Sequence, residues 1–139
     1  GEYLAEIAAR AVPDVHRAGG LHLDMPDASD ETPLDLEVLR AVQLIALEAL
    51  HNAAKHAAPE EVWVGLQPVD ARLWRLQVSD DGPGLGTGSN PAADQGLGLE
   101  GMCRRAGAVR ARLGLYDRPG GGTTVELLFP TRRPLWRIR

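Results

Sequence analysis

The chain has 139 residues, of which 15 are basic and 19 acidic, and its formal net charge is −4 at pH 7. A hydrophobic fraction of 44% and a charged fraction of 24% are typical of one soluble globular domain. The single cysteine, Cys103, excludes an internal disulfide and a cysteine-rich zinc site, and no apolar run approaches the roughly 20 residues that span a bilayer. We therefore expect a domain from a reducing, cytoplasmic compartment, with an acidic balance that argues against nucleic acid as a partner.

The first part of the sequence predicts a helix, a strand and a long helix. Apolar residues recur at helical spacing over residues 2–12, and Pro13 is predicted to end this helix. Alternation over residues 21–25 predicts a strand, and the polar, turn-rich residues 26–32 are predicted to form a loop. The longest helix is predicted to begin after Asp35 as its N-cap and to end near Ala58, before Pro59.

The remainder predicts mostly strands. The alternation over residues 62–67 and 74–80 predicts two strands, and the glycines of residues 81–98 predict a loop. A helix is predicted over residues 97–106, and a hairpin of two strands over residues 108–116 and 122–129. Asp80 has the parity of Val78, so its side chain should leave the strand on the apolar face. Strands joined by short turns, with helices between them, predict an α+β fold, a two-layer α/β sandwich whose helices cover one face of a mixed sheet.

Four polar residues on the long helix form the first candidate site. Glu48, Asn52, Lys55 and His56 are spaced three or four apart and share one face of an α-helix. A carboxylate, an amide oxygen and a cation on one stripe favour magnesium-bound polyphosphate, because Mg²⁺ prefers oxygen ligands and an ammonium suits phosphate. The same spacing is equally compatible with a solvated helix face.

The second candidate site follows a predicted strand directly. Asp80 is an inward-facing acid, and Gly82 and Gly84 come immediately after it. A carboxylate can accept the exocyclic amine of a planar ligand such as adenine, and glycines allow the backbone to approach closely. A β-turn leaving a strand would have the same sequence.

Two further glycine-rich segments complete the pattern. The run Gly96-Leu97-Gly98-Leu99-Glu100-Gly101-Met102 enters a helix, and a helix N-terminus presents N–H groups to phosphate. It lacks the strand context of a dinucleotide fingerprint, and the chain has no phosphate-loop Gly-Lys-Ser/Thr. Thr123 follows three glycines, and its parity with Val125 places one hydroxyl in the layer of Asp80; a glycine turn feeding a terminal strand is the alternative.

Together, in this order and spacing, these segments resemble the ATP-binding catalytic domain of bacterial sensor histidine kinases. That domain has the Bergerat ATP-binding fold, shared with the ATPase domains of gyrase, Hsp90 and MutL. Residues 48–56 resemble its N-box, residues 80–84 its first glycine box, residues 96–102 its second glycine box, and residues 122–124 its final strand motif. The likeness is greatest to the nitrate-sensor and DesK-like subfamily, and it covers residues 20–130.

The resemblance implies a role for each matching residue. Asn52 would ligate Mg²⁺, Lys55 and His56 would approach the phosphates of ATP, and Glu48 would act as general base or water organiser. Asp80 would accept the adenine amino group, with Thr123 supporting it. The pocket and the lid of residues 85–95 would be lined by the glycine boxes, that is, by Gly82, Gly84, Gly96, Leu97, Gly98, Leu99, Gly101 and Met102.

The resemblance also implies partners. None of the four histidines, His16, His22, His51 and His56, precedes Asp or Glu as a phosphoacceptor does, so we expect the acceptor on a dimerisation hairpin before Gly1. Residues 1–19 are then the linker or end of that hairpin, residues 20–130 the ATP-binding domain and residues 131–139 a tail. The fragment would be a monomer and its parent a homodimer that phosphorylates a response regulator. A non-catalytic nucleotide-sensing interaction module and an anti-sigma serine kinase of the same fold remain alternatives.

Overall fold

The computed structural model describes residues 2–25, 35–83 and 98–131, apart from the side chains of Glu2, Tyr3 and His56. In chain order the elements are α1 (Glu2–Ala11), α2 (Pro13–Arg17), β1 (Leu21–Asp24), α3 (Leu36–Asn52), a π-helical turn (Ala53–Ala57), β2 (Val62–Asp70), β3 (Leu73–Asp80), α4 (Leu99–Ala108), β4 (Arg112–Asp117) and β5 (Thr123–Pro130). Among the described residues, no helix is long and apolar enough to cross a membrane.

The strands form one five-stranded sheet in the order β1-β2-β3-β5-β4. β1 pairs with β2 in parallel, and the other pairs are antiparallel, so the sheet is mixed as predicted. Asp80 lies at the end of the central strand, directly opposite Val62 on one side and Thr123 on the other. Residues directly opposite each other point to the same face of a sheet. The side chains of Asp80 and Thr123 therefore leave the sheet on the same face, as the parity predicted.

One face of the sheet is covered by helices and forms the core. Along β3, alternate residues are buried, and they begin with Trp74 and end with Asp80. Their partners in the core are apolar residues of α3 and α4, such as Ile45 and Met102. The opposite face carries polar side chains such as Arg75, Gln77 and Ser79, together with Trp63. These observations confirm the predicted α+β sandwich, with helices on one face of the sheet.

The first two helices pack into the same core as the rest of the domain. Leu4 and Ala8 of α1 and Val15 of α2 are buried together with Val42 and Ile45 of α3. Pro13 was predicted to end the first helix, but in the structure it is also the first residue of α2. A proline lacks only an N–H that is unpaired at that position, so it suits a helix start as well as a helix end. The predicted boundary at residue 19 stays a prediction, although α1 and α2 share the core of the domain.

The long helix ends differently from the prediction. α3 is α-helical up to Asn52, and the last five residues before Ala58 form a π-helical turn. Ala58 then adopts a left-handed conformation, with φ of 43°, before Pro59. π turns are rare and occur mostly at functional sites. The chain therefore changes its helical geometry within the segment that was predicted to contact phosphate.

The helix α4 ends in a Schellman motif. The N–H of Ala111 donates to the carbonyl of Ala106 at 2.8 Å, and the N–H of Arg110 donates to the carbonyl of Gly107 at 3.2 Å. Arg110 has φ of 60°, the left-handed conformation that this motif requires and that glycine adopts most easily. The helix begins at Leu99, two residues later than predicted, and Leu97 lies outside the described residues.

Candidate functional site

Asp80 is the only buried charged residue among those the structure describes, with 6% of its surface exposed. Its Oδ1 accepts a hydrogen bond from the N–H of Gly82 at 2.8 Å, and its carboxylate accepts a second from the N–H of Thr123. Burial raises the pKa of Asp80 above the usual 3.8, and Asp81 adds to this, while the two hydrogen bonds and Arg118 oppose it. The two donors occupy only part of the roughly four lone-pair sites of a carboxylate, so Asp80 can accept a further donor.

Two glycines let the backbone close around Asp80. A Cβ on Gly82 would lie 2.6 Å from the Cβ of Ala57 and 3.0 Å from Oδ1 of Asp80. A Cβ on Gly122 would overlap the carbonyl oxygen of Asp80, and Gly122 also has φ of +111°. Each glycine therefore permits an approach that any side chain would block. At Gly82 the end of the sheet packs against the π turn, and at Gly122 it packs against the β4–β5 turn.

The carboxylate of Glu48 contacts the start of α4. A Cβ on Gly98 would lie 2.5 Å from Oε1 of Glu48 and 3.2 Å from its Cδ. Gly98 is the N-cap of α4, with φ of +69°, and its carbonyl accepts the N–H of Met102 at 2.9 Å. The first and third predicted sites, which are about fifty residues apart in sequence, are thus in contact.

The remaining N-box residues lie at the end of α3. Asn52 is the last α-helical residue and is half-buried, whereas Lys55 is exposed within the π turn. A π turn has more residues per turn than an α-helix, so the α-helical spacing on which the common face was predicted does not apply at Lys55. That Lys55 shares a face with Glu48 and Asn52 stays a prediction. The side chain of His56 lies outside the described residues.

The other predicted residues fall into two groups. Leu99 packs against the core and Met102 is 2% exposed within it, while Gly101 lies on the exposed side of α4 with nothing within 4 Å of a Cβ. Gly84, Gly96, Leu97 and the predicted lid of residues 85–95 lie outside the described residues. The structure thus brings Asp80, Gly82 and Thr123 together at one point, and Glu48 and Gly98 at another.

The sequence reasoning assigned no contact to two residues that close around Asp80, although one of them, Gly122, lies in the final strand motif. Ala57 packs against Gly82, and Gly122 packs against the backbone of Asp80. The run of three glycines before Thr123 was a signal for the second contact, because consecutive glycines permit positive φ. No local pattern indicated the first, since Ala57 and Gly82 meet only in the tertiary fold.

The family model for histidine kinase-, DNA gyrase B- and HSP90-like ATPases matches residues 37–133, which is most of the chain. The chain belongs to this family. The family includes the ATPase domains of histidine kinases, and the mixed sheet with helices on one face agrees with the fold of those domains. The resemblance drawn from the four sequence motifs is confirmed by this match.

Individual relatives are sensor histidine kinases. The oxygen sensor histidine kinase NreB of Staphylococcus carnosus is 33% identical over 111 residues, which are 80% of this chain and 31% of NreB. The blue-light activated histidine kinase of Erythrobacter litoralis has a similar structure, with a TM-score of 0.70, 25% identity, and coverage of 94% of this chain and 41% of that one. ShkA, solved in complex with AMPPNP, has a TM-score of 0.69 and 23% identity, and the match covers 94% of this chain and 30% of ShkA. The chain therefore spans less than half of each of these proteins.

Proposed function

We propose that this chain is the ATP-binding catalytic domain of a sensor histidine kinase, which binds Mg-ATP and transfers the γ-phosphoryl group to a histidine on a separate dimerisation hairpin. The observation that carries the proposal is the buried carboxylate of Asp80, held by two backbone N–H groups at the end of the sheet. The two N–H groups leave acceptor sites of this buried carboxylate open, and a ligand that donates a hydrogen bond would fill them.

The chemistry around Asp80 fits adenine. A carboxylate accepts from the exocyclic amine of adenine, whereas the carbonyl that guanine carries at the same ring position would be repelled. Gly82 and Gly122 let the backbone pack directly against Asp80 and so hold its carboxylate in place. Thr123, on the same face of the sheet, adds a hydroxyl that can support the base directly or through water. The complex of ShkA with AMPPNP supports nucleotide binding by this fold.

The donor set at the end of α3 fits Mg²⁺ and phosphate. Asn52 offers an amide oxygen, Glu48 a carboxylate and Lys55 an exposed ammonium. Mg²⁺ prefers oxygen ligands and keeps several waters, so Asn52 together with phosphate oxygens would hold it. When bound, the ion neutralises negative charge on the phosphates during transfer.

The remaining residues position the nucleotide rather than react with it. Phosphoryl transfer depends chiefly on positioning and charge neutralisation. Glu48, which contacts Gly98, would orient a water or the accepting group near the start of α4. Gly84, Gly96, Gly98 and Gly101, together with Leu97, would form the walls of the pocket and lid, and Lys55 and His56 would approach the phosphates.

The domain organisation and partners belong to the same proposal. Residues 20–130 would form the ATP-binding domain and residues 131–139 a tail, in a cytoplasmic part of a homodimeric parent kinase. The phosphoacceptor hairpin and the response regulator would be its protein partners. The coverage of 31% of NreB supports a larger parent protein, because the matched relatives extend well beyond the region shared with this chain.

The test is to mix the chain, Mg-ATP labelled on the γ-phosphate and the separately expressed hairpin of the parent kinase. We expect acid-labile phosphohistidine on the hairpin, and none on a hairpin whose acceptor histidine is replaced. Nucleotide binding without transfer to the hairpin would contradict catalysis and favour a nucleotide-sensing module. Acid-stable label on a serine of a partner would instead favour an anti-sigma kinase.

A further inference from the structure

The turn that joins β4 to β5 has little intrinsic rigidity. It runs from Arg118 to Gly122, and its three glycines have φ of 89°, 113° and 111°. A Cβ on Gly120 or on Gly121 would have nothing within 4 Å, so neither is held by packing. Glycine has the largest backbone freedom to lose on ordering, so such a turn needs contacts elsewhere to fix its position.

Arg118 supplies those contacts. Its N–H donates to the carbonyl of Gly122 at 2.8 Å, and its carbonyl accepts from the N–H of Gly121 at 3.0 Å. Its side chain donates from Nη1 to the carbonyl of Gly121, also at 3.0 Å. The Cζ of its guanidinium lies 4.0 Å from the centroid of the Trp63 ring, which is a cation–π contact.

Trp63 provides a rigid anchor on the face of the sheet opposite the core. It is paired with His22 of β1 on one side and with Ser79 of β3 on the other. The ring of His22 stacks on it, with centroids 5.5 Å apart and planes at 19°. Since β3 and β5 lie between β2 and β4, the contact of Arg118 with Trp63 holds the turn back across the end of the sheet.

The same turn closes the space around Asp80. Gly122 packs against the carbonyl of Asp80, and the N–H of Thr123 donates to its carboxylate. A shift of the turn would therefore move a donor away from the carboxylate that we assign to adenine. The chain of contacts runs from Trp63 to Arg118, from Arg118 to Gly122, and from Gly122 to Asp80.

We propose that Arg118 and Trp63 are positioning residues for the adenine pocket, although both side chains lie on the face of the sheet away from the ligand. The inference rests on the proposed function, because it assumes that Asp80 binds adenine. It adds two residues that no motif of the sequence indicated. They act through the β4–β5 turn and not through contact with the nucleotide, and the charge of Arg118 also favours the ionised carboxylate of Asp80.

Calorimetric titration with ADP tests the proposal. An exposed cation–π contact corresponds to a factor of about two to five in an equilibrium, so we expect Trp63→Leu to weaken ADP binding by about that factor. Trp63→Phe keeps an aromatic face and should bind ADP nearly as well as the wild type. Arg118→Gln should weaken binding at least as much, and Arg118→Lys, which keeps the charge, should recover part of the loss. The magnesium dependence should not change.

A double-mutant cycle separates this role from general destabilisation. If the two residues act through one contact, Trp63→Leu combined with Arg118→Gln should be no weaker than the worse single variant. Arg112→Gln, an exposed arginine at the other end of β4, is the matched control and should leave ADP affinity unchanged. Additive losses, or equal loss in the control, would overturn the proposal.

Amide hydrogen exchange in the nucleotide-free protein distinguishes failure of this inference from failure of the proposed function. We expect the Thr123 amide to exchange faster in Trp63→Leu and Arg118→Gln than in the wild type. If the wild type does not bind ADP, adenine recognition fails, but the exchange result still shows whether Arg118 and Trp63 hold the turn. If ADP binds through Asp80 while Thr123 exchange and ADP affinity are unchanged in both variants, only the positioning role is wrong.

Discussion

Replacing Asp80 by asparagine changes one buried oxygen into an amide nitrogen and leaves the shape of the side chain almost unchanged. The wild-type carboxylate accepts the N–H groups of Gly82 and Thr123 and keeps acceptor sites for a ligand. Asparagine has a single oxygen, and its NH₂ group donates. In the variant, either a backbone N–H or the adenine amine must therefore face another donor.

The size of the effect follows from the burial of this residue. With 6% of its surface exposed, water cannot replace the lost acceptor. Leaving a buried polar group without its partner costs about 1–3 kcal/mol, which corresponds to a loss of about 5- to 150-fold in the affinity for ADP. An exposed site would show a much smaller change, because water would hydrogen-bond to the mismatched groups.

Calorimetry with ADP measures this loss, and the chain offers a closely matched control. Asp81 is adjacent, and its Oδ1 also accepts two backbone N–H groups, from Glu60 at 2.9 Å and Glu61 at 3.1 Å. Asp81→Asn should disturb these two backbone hydrogen bonds without the loss of ADP affinity. Unchanged affinity in Asp80→Asn, or an equal loss in Asp81→Asn, would refute the assignment of Asp80 to adenine.

Four further outcomes follow from the structure. Burial raises the pKa of Asp80, so the ADP affinity measured by calorimetry should fall as the pH is lowered through that pKa, and Asp80→Asn should lack this dependence. Without nucleotide the direction is opposite, because the folded protein holds the proton of Asp80 more tightly than the unfolded chain. The wild type should therefore lose stability relative to Asp80→Asn as the pH rises from below 3.8 through the raised pKa. Asn52→Ala should lose the magnesium-dependent part of ATP affinity while circular dichroism shows an intact fold, and loss of the fold would contradict a ligand role. Gly122→Ala should lower the melting temperature far more than Gly121→Ala, since both have φ near +112° but only Gly122 meets the backbone of Asp80. Arg110→Gly should raise the free energy of unfolding by about 0.5–1 kcal/mol in urea denaturation, because it removes the strain of a left-handed residue.

The strands and the site on them could be predicted because their signal is local. The alternation from Trp74 to Asp80 identified both the strand and the face on which the acid lies. The same argument placed Thr123 on that face, and the pairing of Thr123 with Asp80 agrees with it. An alternation of buried and exposed residues can be recognised from neighbouring residues alone, so it predicts a strand and its buried face without knowledge of the tertiary fold.

Features that depend on tertiary contacts could not be predicted. Pro13 suits the end of one helix and the start of another, and only the packing of Val15 into the core selects the second. The π turn before Ala58 has no sequence signature that distinguishes it from an α-helical turn. The contact between Arg118 and Trp63 joins residues 55 positions apart through a sheet order that the sequence did not specify.

The two parts of the proposed site are each closed by a glycine at which a side chain from another element makes contact. Ala57 meets Gly82 where α3 and its π turn reach the end of the sheet, and Glu48 meets Gly98 where α3 reaches α4. A methyl group at Gly82 would push the π turn away from the end of the sheet, because Ala57 has no flexible side chain that could move aside. At Gly98 the carboxylate end of Glu48 can move aside, and it is the positive φ of +69° that disfavours a side chain. Gly82 is therefore required by the distance between the π turn and the sheet, and Gly98 by the left-handed conformation with which α4 begins.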